Sequence, residues 1–343
     1  MRNVLIHVKN NESLEIFAKM IENQKWEQNI KYSKEVRYMI EEFIENNWNV
    51  YLTSIDNFDF NSKMWNLYNV KEKRFESKDI NQVNEKIQYM IIRVIGSVEA
   101  KFKLVNDYLD FLIENYKGFT LNNLQSMKKG LTKKYLIEID PEKLRKIGIK
   151  TIPTKIYPNT ISAKELLSNY DKVDDYLIKP ITGELSNSLC NLEKVSEEYL
   201  RYKENKVGGW VVQPIMSEIL DGEYQMSFLN GNLIYSQKKI YSECNDKVPN
   251  QKSRTILKYN PTNAEIEIIR KLISYFSNLY NIKIEICRVD FMKDKNNEPR
   301  LLEFEMVNPG FFLGYLDEHD EAIKNVTTKI RKYLEEENIW KKG

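Results

Sequence analysis

Residues 284–311 read IEICRVDFMKDKNNEPRLLEFEMVNPGF, and the fold is decided here. Two strand-like runs flank residues 293–299, a polar turn carrying Asn296, Asn297 and Pro299. A turn centred on Asn296 and Asn297 sets Asp290 opposite Glu303. Glu303 and Glu305 are two residues apart and share one face, while Leu302, Phe304 and Met306 take the other. Three carboxylates then meet on one small surface. Like charges at cross-strand distance repel, so a cation belongs among them; Mg²⁺, with its demand for oxygen ligands, suits the set better than zinc. From spacing alone an alternative stands: Arg288 and Arg300 pair with these acids on a solvated sheet face.

Upstream of the hairpin, residues 226–229 and 233–235 flank Asn230-Gly231-Asn232, a hairpin signal in which Asn and Gly supply positive φ. Thr262 opens a capping box with Glu265, and Ile266, Ile269, Leu272, Ile273 and Phe276 give the next stretch one apolar helical face. A further helix spans 318–340. These paired strands imply an antiparallel sheet. The first third differs: strands at 3–8, 50–55, 90–95 and 119–122 alternate with helical stretches from 9 to about 26, over 33–46 and over 98–116. Such alternation implies a parallel sheet covered on both faces, an α/β domain over residues 1–120.

The chain has 343 residues, 42% of them hydrophobic, enough for two or three units with cores of their own. With 52 basic against 50 acidic residues the net charge is +2, which supplies no field favouring nucleic acid or an anionic membrane. Cys190, Cys244 and Cys287 are widely spaced and lack a CxxC pair, which argues against a disulfide framework or structural zinc and fits a reducing cytoplasm. The opening MRNVLIHVKN reaches Lys9 and Asn10 too soon for a signal peptide, and no apolar run approaches a membrane span.

RVDF, a short spacer and LLEFEMVNPG resemble the closing metal-binding segment of the ATP-grasp superfamily, where an Asp and a Glu-x-Asn hold two Mg²⁺ ions against the ATP phosphates. Here Glu305 stands at the usual Asn. That form is similar to a subgroup of glutathione-synthetase-like carboxylate–amine ligases that includes the cyclising ligase of cycloserine biosynthesis. The resemblance implies an N-terminal parallel-sheet (pre-ATP-grasp) domain followed by a two-subdomain α+β ATP-grasp fold over 121–343, with 140–210 as its small lid.

Other segments resemble the family in its usual order. Residues 119–126 followed by Lys134, Tyr135 and Leu136 are similar to the start of the grasp domain, which makes Lys134 the first ATP lysine, with the adjacent Lys133 as its competitor. Residues 149–154 resemble the strand leading into the lid. Tyr176 to Pro180 resembles the strand bearing the second ATP lysine, Lys179, and the next residues, with Ser186, Asn187 and Ser188, the phosphate-covering loop. By itself a Lys at a strand end is an ordinary snorkelling residue. Residues 210–216, with Val212, Gln213, Pro214 and Ile215, resemble the adenine hinge; either Glu218 or Glu223 takes the ribose.

What the resemblance implies is an ADP-forming ligase. A carboxylate attacks the γ-phosphorus of ATP and an amine displaces the resulting acyl phosphate. Asp290, Glu303 and Glu305 hold the Mg²⁺ ions, for which Mn²⁺ can substitute. Lys239 and Arg254 meet the transferred phosphate and the intermediate, and Arg93 meets the acceptor or its carboxylate. The substrates are a small carboxylate and an amine of amino-acid or short peptide-like kind, and the assembly is a homodimer or homotetramer. An acid–thiol ligase, a phosphotransferase and a non-catalytic nucleotide-binding module remain as alternatives. His7 and His319 sit beside no plausible nucleophile, and His7 is a core or lining residue.

Overall fold

A computed structural model describes residues 2–23, 31–92, 94–182, 189–201, 208–245, 248–249, 253–310 and 319–337. The N-terminal sheet runs in the order Phe58–Asp59, Met64–Asn69, Trp48–Thr53, Arg2–His7, Tyr89–Ile91, Phe119–Leu121, with Arg74–Asp79 paired to Met64–Asn69. The four strands from Trp48–Thr53 to Phe119–Leu121 are parallel, as the alternation of strands and helices implies. Further strands make the whole sheet mixed, because Met64–Asn69 pairs antiparallel with each of its neighbours. The short links between these strands leave no room for the crossover that parallel pairing needs.

Both faces of the parallel part are covered. Val4, Ile6 and Val50 face one core with Phe17, Met39 and Phe43. Leu5, Tyr51 and Met90 face the other with Trp65, Tyr108 and Leu112. The last helix, His319–Glu337, buries Ile323, Val326, Ile330 and Leu334 in the first of these cores, so the chain closes back on its own beginning.

Cys190–Asn191, Tyr176–Pro180, Trp210–Pro214 and Lys155–Tyr157 form a small antiparallel sheet. The sheet that holds the carboxylates runs Arg254–Lys258, Asn232–Tyr241, Glu223–Leu229, Ile286–Lys293, Pro299–Glu305, again antiparallel. Asn230 and Gly231 turn its first hairpin with φ of 46° and 73°, the left-handed pair that a two-residue hairpin loop demands. The helix Asn263–Tyr280 begins at Thr262, whose side chain and that of Glu265 cap each other's backbone N–H. Its Ile269, Leu272, Ile273 and Phe276 pack under the sheet against Val289, Phe291 and Phe304.

The expected register holds, with Asp290 opposite Glu303, but it shifts between Asp290 and Phe291. Phe291 therefore faces Leu301, and Leu301 joins the core in place of the expected Leu302. Two side-chain amides, Asn122 buried and Asn308 half-buried, tie this hairpin to the N-terminal sheet. Asn122 donates to the carbonyls of Ile286 (2.9 Å) and Met306. Asn308 accepts from the Ile95 N–H and donates to the Gly96 carbonyl, both at 2.9 Å.

Glu285 stands at the foot of the same hairpin, 4% exposed, with its Oε2 unpartnered. Burial pushes its carboxyl up to about 7, although Lys283 pulls the other way. Because the folded form holds this proton more tightly than the unfolded form, stability is lost as pH rises from about 4.5 through about 7. Glu285→Gln is expected to remove that slope and to stabilise the fold at pH 8 by about 1–3 kcal/mol, read from urea denaturation at pH 5 and pH 8.

Candidate active site

Alternation along the strands sends Met226, Val289 and Phe304 into the core and leaves Glu223, Gln225, Arg288, Asp290, Glu303 and Glu305 together on the opposite face. Lys239 lies across from Glu223, and Arg254 across from Tyr241 at the sheet edge, so these cations share that face. Each acid is already met by a donor. Arg288 grips Asp290 with two bonds, Nε to Oδ1 at 2.7 Å and Nη2 to Oδ2 at 2.8 Å, and donates a third to the Gly310 carbonyl. Lys239 donates to Glu223 Oε1 at 2.8 Å, and the Tyr241 hydroxyl donates to Glu223 Oε2 at 2.6 Å. Lys133 reaches Glu303 at 2.8 Å. Glu305 is held by the backbone N–H groups of Val307 and Asn308, both at 3.1 Å.

A chain of amides runs through the middle. Gln237 donates to Gln225 at 2.6 Å, and Gln225 donates to both Glu223 (2.7 Å) and Asp290 (2.8 Å), joining the acids of neighbouring strands.

Burial opposes the charge of Glu303, but Lys133 and Lys179 outweigh it and hold the carboxyl down to about 2. At Glu305 the balance reverses: burial and the charge of Glu303 outweigh Arg288 and Lys133 and push it up. Lys179, arriving from Tyr176–Pro180, is lowered to about 8 by burial, with Glu303 pulling it back up. The charges on the two sheets thus act on one another.

The two adjacent lysines differ in where they point. Sequence reasoning chose Lys134; Lys134 is exposed, and Lys133 is buried against Glu303. The Lys133 N–H donates to the Ile181 carbonyl and Tyr135 is buried beside Phe276, so residues 133 and 135 face inward and 134 faces out. The alternative of acids paired with arginines on a solvated face is half met: Arg288 does pair, but buried, and Arg300 turns to Asp294 instead.

Val212 and Gln213 are buried in the strand Trp210–Pro214, the Gln213 amide donating to Thr154 Oγ1 at 2.9 Å. Pro214 ends that strand, and the Ile215 N–H donates to the Asp175 carbonyl. Glu218 lies half-buried in the short turn Ser217–Asp221, 3.4 Å from Ser217 Oγ, whereas both oxygens of Glu223 are bonded. Arg93, Ser186, Asn187 and Ser188 lie outside the described residues. Sequence reasoning missed Gln225, Tyr241 and Gln237 and gave Arg288 no role in the site; a two-residue step along each strand from Glu223, Lys239 or Asp290 reaches every one of them.

Mg²⁺ fits the donor set, which is carboxylate oxygen without thiolate or imidazole. Among the described residues no three acids already stand together as a metal cluster.

With its carboxylate sheet, small antiparallel sheet and N-terminal α/β sheet, the chain has the ATP-grasp fold. It is similar over 95% of its length to D-cycloserine synthetase DcsG, covering 99% of that chain at 13% identity with a TM-score of 0.65. A RiPP-associated ATP-grasp ligase from Chryseobacterium gregarium, solved with ADP and a leader and core peptide, gives 0.59 at 14% identity, covering 97% of each chain. D-alanine–D-alanine ligase from Bacillus anthracis gives 0.54 at 14%, covering 97% of this chain and 99% of that one. By sequence, no family model and no curated protein matches the chain.

Removing Lys133 leaves Glu303 without its bonded cation in a partly buried place. Lys133→Met is expected to cost about 1–3 kcal/mol at pH 7, and Lys134→Met less than about 0.5 kcal/mol. The depressed carboxyl contributes stability above its ordinary 4.5 and loses it as pH falls toward about 2, so the Lys133 deficit should shrink in acid. Denaturation midpoints of both variants at pH 7 and pH 3 check this.

Proposed function

We propose that this chain is an ATP- and Mg²⁺-dependent carboxylate–amine ligase that forms an acyl phosphate and releases ADP and phosphate. One observation carries the reading: in an ATP-grasp fold, Asp290, Glu303 and Glu305 share a partly buried sheet face whose charge is answered by Arg288, Lys133 and Lys179. A face of that composition suits a polyphosphate and its metal.

Lys133 and Lys179 neutralise the phosphates, exchanging Glu303 for phosphate oxygen. Lys239, held in direction by Glu223, which also accepts from the Tyr241 hydroxyl, and Arg254, at the sheet edge, take the transferred phosphoryl group and the charge that develops on the acyl oxygen. Val212 to Ile215 seat adenine. Glu218, whose carboxylate carries the lighter hydrogen-bonding load of the two candidate acids, takes the ribose. Asp290, Glu303 and Glu305 would hold Mg²⁺, which when bound supplies Lewis-acid neutralisation of phosphate oxygens. The likeness to D-cycloserine synthetase, D-alanine–D-alanine ligase and a peptide-bound ligase supports amino-acid or peptide-like substrates.

Incubation of a panel of amino acids and small carboxylates with ATP and Mg²⁺, followed by nucleotide analysis and product mass, tests the proposal. ADP and phosphate in step with a new amide are expected; stoichiometric AMP, or a thioester formed with thiol acceptors alone, contradicts it. Glu303→Ala should lower turnover by roughly 10²–10³-fold. Glu305→Asn should stay active with a higher Mg²⁺ midpoint, since an amide oxygen is a weaker ligand than a carboxylate for a hard cation; an unshifted midpoint removes Glu305 from the metal.

A further inference from the structure

Gln225 stands in the middle of a row that crosses the carboxylate sheet. In register, Lys258 faces Gln237, Gln237 faces Gln225, Gln225 faces Asp290 and Asp290 faces Glu303. Both glutamines are 1% exposed. A neutral amide therefore holds a buried place among carboxylates, lysines and an arginine.

Its orientation is dictated by its neighbours. Nε2 carries two hydrogens, and each goes to a different acid, Glu223 Oε1 at 2.7 Å and Asp290 Oδ2 at 2.8 Å. The reversed amide would aim its carbonyl oxygen at both carboxylates, lone pair against lone pair. Gln237 donates to that carbonyl from the far side at 2.6 Å, and its own Oε1 finds no partner among the described residues. The row thus leaves an acceptor unsatisfied at Gln237, while the amide that meets the acids uses its carbonyl and both hydrogens.

The two acids are completed alike. Asp290 Oδ2 accepts from Arg288 Nη2 and Gln225, while among the described residues Oδ1 accepts from Arg288 Nε alone. Glu223 Oε1 accepts from Lys239 and Gln225, and Oε2 from the Tyr241 hydroxyl alone. A carboxylate oxygen has two lone-pair sites, so on each acid Gln225 fills the second site of one oxygen and leaves the other oxygen with one site open. A lysine in its place would fill the same sites but add charge where Arg288 and Lys239 already answer these acids, and an arriving cation would be repelled.

We propose that Gln225 is a positioning residue for the metal: it saturates Asp290 Oδ2 and Glu223 Oε1 without adding charge, so that Asp290 offers Oδ1 to Mg²⁺ while Glu223 stays on Lys239. The inference rests on the ligase reading, in which Asp290 is a metal ligand.

Two measurements on the full chain test it. Without nucleotide, ¹⁵N NMR should show the two Gln225 Nε2 protons as separate, slowly exchanging signals, identified by their loss in Gln225→Met, and they should persist when Mg²⁺–ADP is added. Calorimetry should find Mg²⁺–ADP binding about 10–100-fold weaker in Gln225→Met, the cost usual for removing a residue that orients a metal ligand. Gln225→Lys, which returns donors but adds charge, should keep the wild-type urea midpoint without nucleotide and still bind Mg²⁺–ADP more weakly by a similar factor, which separates positioning from folding. Wild-type affinity in either variant, or Gln225 protons that exchange freely with water, overturns the inference. A wild-type chain that binds ADP equally with Mg²⁺ and with EDTA overturns the ligase reading instead.

Discussion

A sheet face that carries Glu223, Asp290, Glu303 and Glu305 can be buried only if positive charge is buried with it. Each of these carboxylates gives up hydration, and the cost is offset where a cation or a backbone N–H takes the place of water. The chain provides Lys239 for Glu223, Arg288 for Asp290 and Lys133 for Glu303, and leaves Glu305 to two N–H groups. The imbalance is local: Glu303 is held down to about 2 while Glu305 is pushed up. A site so arranged is short of positive charge at one edge.

This arrangement needs the three sheets fixed against one another, and a few polar contacts do that. Asn122 and Asn308 fasten the hairpin to the carboxyl edge of the N-terminal sheet. The Lys133 N–H joins the same segment to Ile181, just beyond the small sheet's Lys179 strand. Lys150 pairs through its backbone with Pro299 and Leu301 at the far end of the hairpin. The charged face thus sits where all three units meet.

Much of this was legible in the sequence, and the misses share a cause. A turn placed at Asn296 and Asn297 was enough to set Asp290 opposite Glu303, because pairing in a hairpin propagates from its turn. The register shift beyond Asp290 carries no composition signal, so Leu302 stood for Leu301. Lys133 and Lys134 differ by one position at a helix start, where inward or outward direction depends on the burial of Tyr135. The strand Arg74–Asp79, RFESKD, is edge-like and polar, and hydrophobic periodicity has nothing to detect in it. Chemistry-bearing residues within strands were readable; choices made by packing between elements were not.

The proposed ligase requires Lys133 and the hairpin acids to change partners when nucleotide and metal arrive, and crystals grown with Mn²⁺ and a non-hydrolysable ATP analogue test this through the anomalous signal of manganese. The expected result is a manganese peak at about 2.0–2.2 Å from oxygens of Glu303 and Glu305, the range usual for a six-coordinate hard cation, with Lys133 Nζ moved from Glu303 onto a phosphate oxygen. Phosphates bound away from this face, or Lys133 still paired to Glu303 with no manganese beside it, would contradict it.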